Sequence, residues 1–247
     1  MDIFDKVNSL IFIHCPKTAG TSLTSFIIKN LNLKDEEIYN CGQRARTHIE
    51  GNIKFMNLPL EEKKKFRFIC GHVELFILQT INYPVFTFTL LRDPIKRIIS
   101  LYNFIIQTKT HHLHDFITKN RLSISDFIKS GAWIETNNGI VRRLCGGIRI
   151  PYGRCNFRML ENAIFNLRKL SLFGFQEKFE EFIKILSMVL GISCLSFEYI
   201  NVTNYKIEVD EKDIKTIEAF NQLDIELYKY AKTIYVDKFR SFLETCQ

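Results

Sequence analysis

Residues 10–23 read LIFIHCPKTAGTSL. An apolar, strand-like run breaks at Pro16, and Lys17, Thr18, Ala19, Gly20, Thr21 and Ser22 crowd into one turn before a helical pattern resumes. A buried strand that runs through such a turn into a helix start aims backbone N–H groups, hydroxyls and the positive end of the helix dipole at one point, where an anion is stabilised. Lys17 adds a full charge at the mouth. The order of residues matters, because a nucleotide-triphosphate loop reads G-x-x-x-x-G-K-[ST], with glycines ahead of its lysine. Here the lysine precedes Gly20, so that pattern fails.

A partner segment lies at residues 86–104, FTFTLLRDPIKRIISLYNF. An alternating, β-rich run ends at Leu91, and Arg92, Asp93 and Pro94 open a helix in which a carboxylate and a proline are ordinary start chemistry. Arg92 and Ser100, two helical turns apart, are candidates for a second phosphate, and Arg97 is expected to face solvent. Together, PKTAGTSL and LLRDPIKRIISLYNF resemble the two phosphate-binding segments of sulfotransferases that use 3′-phosphoadenosine 5′-phosphosulfate (PAPS). Within that superfamily the chain is most similar to the carbohydrate and heparan sulfate 2-O-sulfotransferase-like group. Residues 137–147, NNGIVRRLCGG, and 172–182, LFGFQEKFEEF, extend the resemblance loosely.

The resemblance implies roles. Lys17 would stabilise the departing 5′-phosphate oxygen, residues 18–22 would hold that phosphate, and Arg92 with Ser100 would hold the 3′-phosphate. His72, in CGHVELF, matches the histidine taken as the general base in the 2-O group, and it follows a predicted strand at the sheet edge where open α/β folds bind ligands. His48 is the rival base, and His14 is expected to be buried in the first strand. Asn138 and Arg142 are candidates for orienting acceptor or donor. The 2-O group places a second histidine two residues before its base, where this chain has Cys70, so any support from that position is missing or reassigned. No metal is expected, and His111, His112 and His114 have no carboxylate or cysteine at ligand spacing.

Composition agrees with one α/β domain spanning 1–247. The chain is 46% hydrophobic with 22 Phe, enough for a large core, and no Pro/Ser/Gly-rich linker divides it. Strand, turn and helix recur at residues 10–14 and 21–31, 66–70 and 73–78, and 85–91 and 95–107. That rhythm predicts a mostly parallel sheet flanked by helices, and the resemblance implies a P-loop-like three-layer fold of that kind. Residues 32–51 read as loop, 170–173 as a strand, and 213–243 as one long amphipathic pattern.

A formal charge of +7 suits anionic ligands, with PAPS, its product PAP and a glycan hydroxyl acceptor as expected partners. The basic residues are scattered rather than striped, which argues against nucleic acid. Seven irregularly spaced cysteines without a CxxC pair argue against zinc and for a reducing compartment, although Cys145 and Cys155 flank a loop that a disulfide could staple, as in the 2-O group. Neither a signal peptide nor a transmembrane span is read, so a soluble, cytoplasmic protein is expected, or a domain excised from a Golgi-lumenal enzyme. Two rivals make other predictions: a P-loop kinase requires Mg²⁺, and a non-catalytic polyanion binder shows salt-sensitive binding without nucleotide selectivity.

Overall fold

The structure, a computed structural model, describes residues 3–45, 47–146, 150–193 and 207–245, with side chains described to residue 239. Five strands form its centre: β1 (Ser9–Phe12), β2 (Ile38–Asn40), β3 (Phe68–Cys70), β4 (Val85–Leu91) and β5 (Leu172–Phe175). All pair in parallel, in the order β2-β3-β1-β4-β5. Leu10 stands opposite Phe68 on one side and Phe86 on the other, so β1 is the central strand. Its four residues are all buried, as a parallel strand covered on both faces requires.

The helices are α1 (Gly20–Asn30), α2 (His48–Asn57), α3 (Leu60–Lys64), α4 (Pro94–Gln107), α5 (His114–Lys119), α6 (Ile124–Ser130), α7 (Gly139–Cys145), α8 (Phe157–Lys169), α9 (Phe179–Leu190), α10 (Glu211–Phe220) and α11 (Gln222–Thr245). The main core joins the sheet to α1, α7, α8, α9 and α11, and a second apolar cluster gathers Ile98, Leu101 and Ile105 of α4 with Ile117, Phe127, Ile128 and Ile217. The expected α/β layering is present. No helix among the described residues is long and apolar enough to cross a membrane.

Three expectations need correction. The stretch read as loop, 32–51, holds β2 and the start of α2. β2 has only three residues, and its pairing with β3, not local propensity, makes it a strand. The long C-terminal pattern is broken between α10 and α11, because the buried Asn221 pins the break: its amide donates to Thr136 C=O at 3.1 Å and its side-chain oxygen accepts Asn138 N–H at 3.0 Å, and α11 kinks again at Phe239. Arg97 does not face solvent. It is 0% exposed and lies on the face of α4 that also buries Leu101 and Ile105.

The thiols of Cys145 and Cys155 donate to Arg142 C=O at 3.6 Å and Asn137 C=O at 3.9 Å, and the two sulfurs are not joined to each other. Residues 147–149 of the loop between them, and Cys194 and Cys246, lie outside the described residues.

Candidate active site

Beyond β1 the chain makes the turn that the motif predicted, and it does so with two non-glycine residues in the left-handed region, Lys17 at φ 69° and Ala19 at φ 62°. Such residues are strained by about 1–3 kcal/mol each and persist only where surroundings hold them. Thr18 supplies one restraint, its hydroxyl donating to Cys15 C=O at 2.8 Å. Arg92, at the end of β4, supplies another: its Nη1 donates to Lys17 C=O at 2.9 Å. The α1 ladder begins with Leu23 N–H donating to Ala19 C=O at 3.1 Å, so the N–H groups before it are the ones a helix start offers to an outside acceptor.

This turn faces a cavity of about 1260 Å³. Pro16, Lys17, Ala19, Gly20, Thr21 and Ser22 line it, as do Arg92 just after β4, Ser100 of α4, His72 and His48. The two motifs, 75 positions apart in sequence, thus meet at one site. Thr18 is the exception within its segment, since its side chain is buried beneath the turn.

Electrostatics mark the donor end. Burial first, and then Arg92, lowers the Lys17 amine to about 8, and that amine lies 4.1 Å from the centre of the Phe104 ring. Burial also lowers Arg92, whose buried Nε has no hydrogen-bond partner. Two cations and an unsatisfied N–H in one pocket fit an anion with phosphate oxygens.

The same cavity holds three imidazoles. His72 is stacked on His48 with ring centres 4.0 Å apart, and His14 meets it edge-on at 5.1 Å. His14 is not hidden inside β1; it follows that strand and lines the cavity. Burial, then the Arg143 guanidinium, lowers His14 to about 3. Burial also holds His72 well below its ordinary range, with His14 and Arg143 adding to the effect, so the neutral, proton-accepting form is favoured. Phe104, His111, His112 and Trp133 wall the remaining side. Among the described residues no group of three or more His, Cys, Asp or Glu is arranged to hold a metal ion.

Asn138 and Arg142 are not brought to this cavity. Asn138 Oδ1 accepts Leu223 N–H at 3.0 Å and Asp224 N–H at 3.2 Å, which ties α7 to α11. Arg142 is fully buried, its guanidinium donating to Asn137 C=O at 2.7 Å, Pro151 C=O at 3.0 Å and Ile150 C=O. Its neighbour Arg143 was not singled out by sequence, yet it forms the cavity floor, paired with Glu74 at 2.6 Å and Glu135 at 3.0 Å. Glu135 also pairs with Arg97 at 3.3 Å, and Arg97 with Asp224 at 3.5 Å.

The sequence pattern of the sulfotransferase family matches residues 2–138, more than half of the chain. The chain belongs to the sulfotransferase family. It is 22% identical over 275 residues to heparan-sulfate 6-O-sulfotransferase 2 of Gallus gallus, an alignment covering 94% of this chain and 68% of that one. Heparan-sulfate 6-O-sulfotransferase 1 of Homo sapiens is 23% identical over 272 residues, covering 94% and 66%. Heparan-sulfate 6-O-sulfotransferase 2 of Homo sapiens is 24% identical over 275 residues, covering 94% and 45%. The chain therefore spans between 45% and 68% of the length of these relatives.

Proposed function

We propose that this sulfotransferase moves a sulfuryl group from PAPS to a hydroxyl of a carbohydrate acceptor, with His72 as general base. The observation that carries the reading is the single cavity lined by Lys17, Arg92 and His72, with Arg92 bonded to the Lys17 backbone at 2.9 Å. PAPS, when bound, supplies a sulfuryl group on a phosphate leaving oxygen. Residues 18–22 hold the 5′-phosphate through the turn and helix start, and Arg92 with Ser100 holds the 3′-phosphate. His72 takes the acceptor proton as the new oxygen–sulfur bond forms, and Lys17 balances the charge that collects on the phosphate oxygen as the old one breaks.

The acceptor class rests on the relatives, whose names specify heparan sulfate, and on the positive net charge. Those relatives are named for 6-O-sulfation, whereas CGHVELF resembles the 2-O group, so the position of the acceptor hydroxyl is open to assay. Packing of α4 on both α10 and α11 supports reading residues 1–247 as one catalytic domain.

His72→Ala is expected to abolish turnover while retaining 3′,5′-bisphosphate binding, and full turnover in that variant would overturn the base assignment. A thermal-shift comparison of 3′-phosphoadenosine 5′-phosphate, ATP with Mg²⁺, and heparin tests the donor. The 3′-phosphorylated nucleotide should stabilise most. Preference for ATP with Mg²⁺ would indicate a kinase, and response to heparin alone a polyanion binder.

A further inference from the structure

The base candidate does not stand alone. His48 opens α2, and its ring lies over the face of His72 at 4.0 Å with the planes 12° apart. The backbone leaves that ring a place: a Cβ on Gly42 would come within 2.8 Å of His48 Cε1. A Cβ on Gly20 would likewise come within 2.0 Å of His14 Nε2, and His14 makes a T-shaped contact with His72 at 5.1 Å. Two glycines thus make room for the two imidazoles that flank a third. A real Cβ at either position would displace the ring it faces.

The main chain ties the same residues together. The amide of the buried Asn52 donates both to His48 C=O at 2.7 Å and to His72 C=O at 3.0 Å, while its oxygen accepts Glu74 N–H at 2.8 Å. His48 and His72 come from different elements, so this bridge fixes their relative height. Burial and the nearby Arg143 lower His48, which keeps two stacked rings from both carrying charge. The face-to-face arrangement has no in-plane N–H aimed at a lone pair, so it suits packing rather than direct proton exchange.

We propose that His48 is a positioning residue for His72: backed by Gly42, its ring covers one face of the His72 imidazole while His14 makes a T-shaped contact with it, so the base keeps one orientation toward the acceptor hydroxyl. This gives the chain, which has Cys70 where the 2-O group has a second histidine, a support for the base from another element. The inference rests on the reading of His72 as base.

The test compares His48→Ala and His48→Phe, the second keeping a flat ring at the site. Because both changes leave the Thr47 cap of α2 and the bond from Asn52 to the His48 carbonyl in place, both variants are expected to keep a melting temperature near that of wild type. His48→Ala should lower kcat by about 10- to 100-fold with the donor KM unchanged, since misorienting a reacting group by an ångström costs on that order. His48→Phe should restore most of the loss. In the unliganded protein, the upfield ring-current shift of the His72 imidazole protons should be present in wild type and His48→Phe and lost in His48→Ala. Wild-type kcat in His48→Ala, an unchanged His72 shift there, or a His48→Phe variant as impaired as His48→Ala would each overturn the proposal. His72→Ala separates the two failures, because turnover retained in that variant removes the base reading itself, whereas an inactive His72→Ala beside a fully active His48→Ala removes only the role of His48.

Discussion

Replacing Arg97 with methionine is expected to destabilise the protein more than any exposed charge change, and the structure sets the scale. Arg97 is 0% exposed and donates to Glu135 C=O at 2.7 Å, to the Glu135 carboxylate at 3.3 Å and to Asp224 at 3.5 Å. With Glu74, Glu135 and Asp224 facing Arg97 and Arg143, the cluster carries three carboxylates and two guanidiniums, one formal negative charge. Methionine fills much of the arginine volume but removes a cation and doubles that negative charge. Breaking one partner out of a buried pair costs about 3–5 kcal/mol, mostly from the stranded charge. For a chain of this length that is a fall in Tm of about 6–20 °C.

Urea denaturation followed by circular dichroism measures the loss, and two controls give it meaning. In Arg97→Met/Asp224→Asn the charge count returns to that of wild type, so the double variant should be more stable than the sum of the single effects by about 1 kcal/mol or more. Lys229→Met, which breaks the exposed pair with Glu226, should be indistinguishable from wild type. The pH dependence has a definite sign. Burial raises the folded-state pKa of Asp224 above its unfolded value, so the folded form binds the proton more readily and the group contributes less stability as pH rises. Removing Arg97 strengthens this, and the difference from wild type should shrink as pH falls. An Arg97→Met variant within about 1 kcal/mol of wild type, or no coupling with Asp224, would refute the reasoning.

Because Lys17 is lowered to about 8 by burial and Arg92, a bound phosphate should draw a proton onto it above that pH. Calorimetry of 3′,5′-bisphosphate binding should therefore show affinity falling as pH rises through about 8, with proton uptake on binding, and Lys17→Met should flatten both. Arg92→Ala removes a charged donor and the restraint on the left-handed Lys17, and bisphosphate affinity should fall by about 10- to 100-fold in the same assay; an unchanged Kd would contradict the second phosphate site. Asn138→Ala should act on stability and leave both KM values alone, since its side chain accepts two N–H groups of α11 and is not part of the cavity lining. Asn138→Gly should be the milder change at φ 52°, and a KM effect in either variant would restore Asn138 to the substrate site.

The readable parts of this molecule were those written in contiguous residues. The Lys17–Ser22 turn and the Arg92 helix start announce themselves because strand, breaker and cap chemistry sit side by side, and the central strands are runs of mostly apolar and β-branched residues. Arg97 carried a signal that local reading passed over: it is four residues before Leu101 and eight before Ile105, and that stripe is the buried face of α4. Glu74, Glu135 and Arg143 carried none, because each is an ordinary charged residue until three separated segments bring it beside the others. His48 lay in a stretch polar enough to read as loop. Only the sheet register of β2 and the cap at Thr47, whose hydroxyl accepts Glu50 N–H at 3.1 Å, turn that stretch into the element that carries it.

The donor end of the cavity is costly to build without its ligand. Two left-handed residues, a half-buried lysine and an arginine with an unpartnered Nε all raise the free energy of the unliganded fold. The molecule offsets this locally rather than relaxing it: Arg92 holds the Lys17 carbonyl, Thr18 closes the turn beneath, and the Lys17 amine rests on the Phe104 face. Each of these devices leaves the N–H groups and charges of the site pointing into the cavity, where a bisphosphate neutralises them. Stability gained by filling the site should therefore exceed what buried area alone implies. Phe104→Ala, which removes the resting place of the amine without touching a phosphate contact, should lower the melting temperature of the unliganded protein more than that of the bisphosphate complex. Equal losses in the two states would mean that the amine stays on the ring when the anion is bound.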